Sequence, residues 1–203
     1  MIHTLKKFLG HSFARTLQQQ LLSTNQFKWD WVENTGYEKV KENKEWDFSW
    51  AHFVFRDGQI VSDLYPYLMP IVLNIGDAIG VDAQHILRIR LGCNTKTPMP
   101  IIHSPHIDST VPHYTALLYL NDSDGDTVIY NQKYPFLKNS APHDEYSKNL
   151  NFTELARHSP EFNKVVVFDG SHYHSSSSPT IADRRIVVTM NFLNQSISTK
   201  DYK

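Results

Sequence analysis

A single cysteine, Cys93, excludes an intramolecular disulfide and any thiolate cluster for zinc, and fits a reducing compartment. Charge of one sign is equally scarce. Twenty Lys and Arg stand against twenty-one Asp and Glu, so nothing electrostatic favours a phosphate backbone or an anionic membrane as partner. No stretch approaches the roughly 18 apolar residues that would span a bilayer. The opening "MIHTLKKFLGHSFARTL" lacks the uninterrupted apolar core and small-residue cleavage site of a secretory signal, so a soluble, cytoplasmic protein is expected. Also missing are an internal repeat, a Ser-His-Asp order, a phosphate-cradling glycine loop and a dinucleotide fingerprint. What is present is 40% hydrophobic residues in 203, enough to bury one sizeable core, which predicts a single domain over 1–203.

The first part, 1–84, has helical and hairpin character. "SFARTLQQQLLST" repeats Phe13, Leu17 and Leu21 at four-residue spacing, which predicts a helix with one apolar stripe. "VSDLYPYLMPIVLNIGDAIG" reads as a second helical region capped by Ser62 or Asp63, with Pro66 and Pro70 expected to break it into turns. Between them, "EWDFSWAHFVFRDGQIV" alternates Phe48, Trp50 and His52 and closes on Asp57-Gly58, the pattern of a hairpin. Over 85–195 the pattern changes to short strands: "ILRIRLG", "YTALLYLN", "DTVIYNQ", "KVVVFDG", "HYHSS" and "RRIVVTMNFL". Regular short strands with Gly, Asp, Asn and Ser turns predict a sandwich, jelly roll or barrel. Residues 132–160 are polar and irregular, and read as a long insertion at the mouth of that β-structure.

The chemistry concentrates in "HSPHIDS", positions 103–109. On an extended backbone residues two apart project to one side, so His106 and Asp108 can present an imidazole and a carboxylate to one point. A lone His-x-Asp is weak, because roughly 0.8 such pairs arise by chance in a chain of this composition. A second signal comes from "VVVFDGSHYHSSSSPTIADRRIVVTMNF", where an apolar strand ends at Asp169-Gly170 and His172 and His174 follow. One of these beside His106 and Asp108 would put two His and one carboxylate on one face of an octahedron. That set leaves three positions open, as in non-haem Fe(II) oxygenases, whereas zinc usually prefers a closed four-coordinate site.

The last strand adds an anion site. Arg185, Val187, Thr189 and Asn191 share one face, while Ile186, Val188, Met190 and Phe192 share the other. The apolar face should pack on the core or the amino-terminal helices, and the polar face should line a pocket with Arg185 buried in it. A buried guanidinium needs an anion, and a carboxylate taken bidentately by its planar fork is the natural partner. No acidic residue of the chain is an obvious candidate, which points to a ligand. A metal with open sites beside such an arginine is what 2-oxoglutarate requires, its keto-acid end on the metal and its far carboxylate on the guanidinium.

These residues resemble the Fe(II)/2-oxoglutarate-dependent dioxygenases, in particular the prolyl 4-hydroxylase-like branch of phage and bacteria. The resemblance rests on "HID" at 106–108, "TALLYLN" at 115–121, "GDT" at 125–127, "VVVFDGSHYH" at 165–174 and "RRIVVT" at 184–189, in the family's order, over about half the chain. The chain departs from the pattern in "GDT", where two glycines are common, and in its arginine pair. The resemblance implies a mainly β fold with flanking α, a double-stranded β-helix (jelly roll) with amino-terminal helices. It implies His106, Asp108 and His174 as Fe(II) ligands and catalytic centre, His174 being preferred to His172. It also implies Arg185, Tyr119 and Thr189 as the 2-oxoglutarate site, with Arg184 the fallback for Arg185. The activity it implies uses O2, decarboxylates 2-oxoglutarate to succinate and hydroxylates a C–H bond of a peptidyl or small-molecule substrate.

Other residues are expected to be ordinary. His103 and His113 read as solvated loop histidines, Arg88 and Arg90 as solvent-face charges, and "SSSSP" as a flexible polar segment. Trp29, Trp31, Trp46 and Trp50 read as packing of the amino-terminal layer. Two rivals stay open: a non-catalytic cupin-like metal- or ligand-binding protein, and hydrolysis at a catalytic zinc.

Overall fold

A computed structural model describes residues 1–22, 28–35, 46–136, 143–148 and 150–194. In chain order its elements are β1 (Ile2–Leu5), α1 (His11–Leu22), β2 (Asp30–Val32), β3 (Ser49–Arg56), β4 (Gln59–Ile60) and α2 (Tyr65–Ile79). These are followed by β5 (Ile86–Thr95), β6 (His113–Tyr119), β7 (Thr127–Lys133), α3 (His143–Ser147), β8 (Glu154–His158), β9 (Lys164–Asp169), β10 (His172–Ser176) and β11 (Arg184–Leu193). All strand pairs are antiparallel. The larger sheet runs β1-β9-β6-β11-β5-β3-β2, with β4 on β3, and the smaller runs β10-β7-β8. The segment around 102–106 extends the smaller sheet beyond β10 through the bridges Ile102↔Ser177 and His106↔His174.

Side-chain alternation explains the layering. On β11 the apolar face of Ile186, Val188, Met190 and Phe192 joins Leu17 and Leu21 of α1 and Leu68, Ile71 and Ile75 of α2 in the main core. The opposite faces of β6, β9 and β11 give Leu117, Tyr119, Val166, Phe168 and Val187, which meet Ile129 of the smaller sheet. Two antiparallel sheets thus enclose an interior in the manner of a jelly roll, with α1 and α2 behind the larger one. Truncating a fully buried side chain here, such as Leu118→Ala, costs about 2–5 kcal/mol, a large share of a domain's typical stability.

Several expectations are met and several corrected. The hairpin forms across Asp57 and Gly58, whose φ values of 53° and 74° are the left-handed pair that a type I′ turn requires. The apolar stripe of α1 is Ala14, Leu17 and Leu21, whereas Phe13 is 44% exposed. Pro66 and Pro70 do not break α2. Pro66 lies at its first turn, where no N–H is needed, and both prolines sit on the exposed face, where water can satisfy the carbonyl that Pro70 leaves unpaired. Neither Ser62 nor Asp63 is the cap: Leu64 holds that position with no side-chain cap, although Ser62 Oγ accepts a hydrogen bond from its amide. β1 went unread; Ile2 to Leu5 pair with Phe168 to Val165 at the sheet edge. The 132–160 stretch is less irregular than expected, since it carries α3 and β8, the latter paired with β7; its residues 137–142 and 149 lie outside the described residues.

Candidate metal and co-substrate site

The interior opens into a narrow cavity lined on one wall by Arg90, Gly92, Asn94, Arg185, Val187 and Thr189 of β5 and β11. His106, Asp108, His174, Ser175 and Ser176 line the opposite side. One ligand atom from each of His106, Asp108 and His174 falls within 4.8 Å of the others. Backbone pairing brings the two histidines together: each amide donates to the other's carbonyl, at 2.9 Å both ways. His172 belongs elsewhere. Its Nδ1 lies 2.7 Å from the Tyr130 carbonyl, so of the two histidines on β10 it is His174 that joins the cluster.

Asp108 follows the bridge on a segment without regular structure, and side chains hold it. Its Oδ1 lies 2.5 Å from Arg88 Nη2, and its Oδ2 accepts from Asn191 Nδ2 at 2.9 Å and from Thr115 Oγ1 at 3.3 Å. Burial by itself would raise its pKa, but Arg88, His174 and His106 outweigh burial and hold the carboxyl well below the usual carboxylate range. Burial, helped by His174, pushes His106 down to about 3 against the pull of Asp108, and burial likewise lowers His174. All three are therefore in ligating form at neutral pH.

Arg185 lies deeper, only 3% exposed. Its Nη2 donates to Thr127 Oγ1 at 2.7 Å, Nη1 approaches Asn94 Oδ1 at 3.5 Å, and its guanidinium carbon is 5.6 Å from the centre of the Tyr119 ring. Tyr119 donates its hydroxyl to the same Thr127 oxygen at 2.8 Å. Nε has no partner, and among the described residues no carboxylate forms an ion pair with this guanidinium. Gly125 gives the side chain its passage: a Cβ there would lie 3.1 Å from Arg185 Cδ and 2.6 Å from the Ser177 carbonyl. Arg184 is exposed and faces away, while Thr189 lines the same cavity four residues further along β11 than Arg185.

Three expectations fail here. His103 and His113 are both fully buried, not solvated. His103 Nδ1 lies 2.8 Å from Asp47 Oδ1, and its Nε2 lies 3.0 Å from Asn94 Nδ2 and 3.2 Å from Ser178 Oγ. His113 packs its ring edge-on to Phe136. Arg88 and Arg90 face inward, the first onto Asp108 and the second into the cavity. "SSSSP" is not loose, because Ser175, Ser177 and Ser178 are buried and Ser175 lines the cavity. Trp29 and Trp50 pack on the main core as expected, while Trp31 is half exposed and stacks on Phe48.

Sequence reading left Thr127, Asn94, Thr115 and the hold of Arg88 and Asn191 on Asp108 unassigned. The inward alternation Arg88, Arg90, Gly92, Asn94 on β5 was the available signal. Once β5 is known to lie beside β11, that face must share the cavity with Arg185.

Neither a protein-family model nor a curated protein matches the sequence. Solved structures do match. A 2OG-Fe(II) oxygenase family oxidoreductase from Burkholderia pseudomallei aligns at TM-score 0.62 and 14% identity, over 95% of this chain and 84% of that one. This is the fold of the 2-oxoglutarate/Fe(II) oxygenases. A prolyl hydroxylase from Trichoplax adhaerens, solved with a hypoxia inducible factor peptide, shares that oxygenase fold at TM-score 0.57 and 14% identity, over 96% and 84% of the two chains. HygX from Streptomyces hygroscopicus, solved with nickel and 2-oxoglutarate, does so at 0.53 and 10%, over 96% and 83%. Among the described residues no helix is long and apolar enough to cross a membrane.

Proposed function

We propose that the protein is an Fe(II)- and 2-oxoglutarate-dependent dioxygenase that hydroxylates a C–H bond of a peptidyl or small-molecule substrate, working as one double-stranded β-helix domain over 1–203. The observation that carries this is the pairing of two features in one cavity. Two imidazoles and a carboxylate converge within 4.8 Å, and a buried arginine with an orphaned Nε lines the facing wall of the same cavity.

The residues present fit the groups implied. An N2O donor set with no thiolate suits Fe(II), and three protein donors leave room for further ligands. The unpartnered Arg185 Nε and the absence of an ion pair among the described residues call for an anion, which the far carboxylate of 2-oxoglutarate would supply. In this reading His106, Asp108 and His174 hold the metal, and Arg185, Tyr119 and Thr189 form the co-substrate site. When bound, iron with 2-oxoglutarate and O2 supplies the oxidation, releasing succinate and CO2. The chain's own share is to ligate, orient and shield. Thr127 contributes by accepting from both Tyr119 and Arg185, which fixes the guanidinium plane before the diacid arrives. A cytoplasmic setting goes with this reading, because ferrous iron and the free thiol of Cys93 both persist under reducing conditions.

The test is turnover. Protein reconstituted with Fe(II) should release succinate from 2-oxoglutarate in the presence of O2, and His174→Ala should abolish it while His172→Ala retains it. Crystals soaked with Mn(II) that show no metal between His106 and Asp108 would overturn the proposal.

A further inference from the structure

His106 and His174 are held by a backbone bridge, but Asp108 sits two residues beyond it, on a segment without ladder hydrogen bonds. Its carboxylate must be aimed by side chains. Two of these come from directly opposed positions of the rigid β5–β11 pair, Arg88 and Asn191. Arg88 Nη2 forms an ion pair with Asp108 Oδ1, close but out of hydrogen-bonding alignment, while Arg88 Nε donates to Asn191 Oδ1 at 2.9 Å. Arginine has only donors, so it fixes the amide of Asn191 with its oxygen toward Arg88 and its nitrogen toward Asp108 Oδ2, 2.9 Å away. One guanidinium thereby controls both carboxylate oxygens, one directly and one through Asn191.

We propose that Arg88 is a positioning residue of the metal site: with Asn191 it holds the Asp108 carboxylate facing His106 and His174, and divalent metal binding depends on that hold. This rests on the metal-site reading above. Lysine would keep the charge but could not span both partners, because an ammonium is a point charge without the planar fork.

The experiment is Mn(II) titration of the metal-free full-length chain by calorimetry, without 2-oxoglutarate, for wild type, Arg88→Gln, Arg88→Lys and Asn191→Ala. Partners that orient a ligand typically change metal affinity by about 10- to 100-fold, and Arg88→Gln should weaken Mn(II) by that factor. Arg88→Lys should recover part of the loss, and Asn191→Ala should lose less than Arg88→Gln. The visible spectrum of bound Co(II) should shift in Arg88→Lys, which a purely structural role would leave unchanged. Folded Arg88→Gln that binds Mn(II) as tightly as wild type overturns the inference and leaves the oxygenase reading intact. If Arg88→Gln does not fold, equal binding by Arg88→Lys and wild type overturns it. Wild type that binds no divalent metal overturns both.

Discussion

His103 donates from Nδ1 to Asp47, and both side chains are buried. The proton's place follows from the neighbours. Arg185 needs the oxygen of Asn94, so the Asn94 amide nitrogen faces His103 Nε2, which must accept. Asp47→Ala would leave a buried N–H without an acceptor, at about 1–3 kcal/mol. A drop in melting temperature of several degrees is expected, with a smaller drop for Asp47→Asn, which retains an acceptor. Equal melting curves for wild type and Asp47→Ala would contradict the assignment.

Arg185 and Arg184 are neighbours with opposite surroundings. Under the proposed function Arg185→Met removes the buried cation that receives the far carboxylate, a charge-assisted interaction of about 3 kcal/mol, and should raise the 2-oxoglutarate Kd of Mn(II)-loaded protein by about 100-fold. Arg184→Met should change it by less than about twofold. Isothermal titration reads both, and the reverse ranking would move the co-substrate site.

Two buried histidines, His113 and His174, and the half-buried His106 make the metal-free protein acid-sensitive. Burial lowers His106, His113 and His174 below the ordinary imidazole value, His106 to about 3. Between the folded and unfolded values the unfolded chain binds more protons, so this stability is present above about pH 6.5 and is lost as pH falls. Each such group contributes a slope of up to about 1.4 kcal/mol per pH unit. Melts of metal-free protein should fall from pH 7.5 to pH 5, and a flat profile would show that these imidazoles are not buried neutral.

Burial pushes the Cys93 thiol up to about 11, against the lowering pull of Arg184 and Arg185. At pH 8 the folded protein holds almost no thiolate, so Ellman's reagent should react slowly until urea unfolds the chain. Prompt labelling of the native protein would place Cys93 at the surface.

The β-rich half, the pairing of His106 with Asp108 and the inward face of Arg185 were legible from short-range patterns, the alternation along the strands and the two-residue spacing in "HID"; that His174 rather than His172 completes the set was implied only by the family resemblance, because no local pattern joins residues so far apart. His103 and His113 were misread because their burial depends on partners that no local pattern reveals. Asp47 is 56 residues from His103, and Phe136 is distant from His113 in sequence. Arg88 was misread for a related reason. Alternation shows that Arg88 and Arg90 share a face, but only the sheet order turns that face inward. β1 escaped because four residues carry little periodicity, and its place depends on pairing with β9.

The reciprocal amide contacts between His106 and His174 mean that two of the three donors are spaced by the main chain itself. No single replacement of a neighbouring side chain erases that spacing. The entropy of bringing the two imidazoles side by side is settled when the polypeptide folds, so under the proposed function an arriving cation would have only the side chains left to adjust.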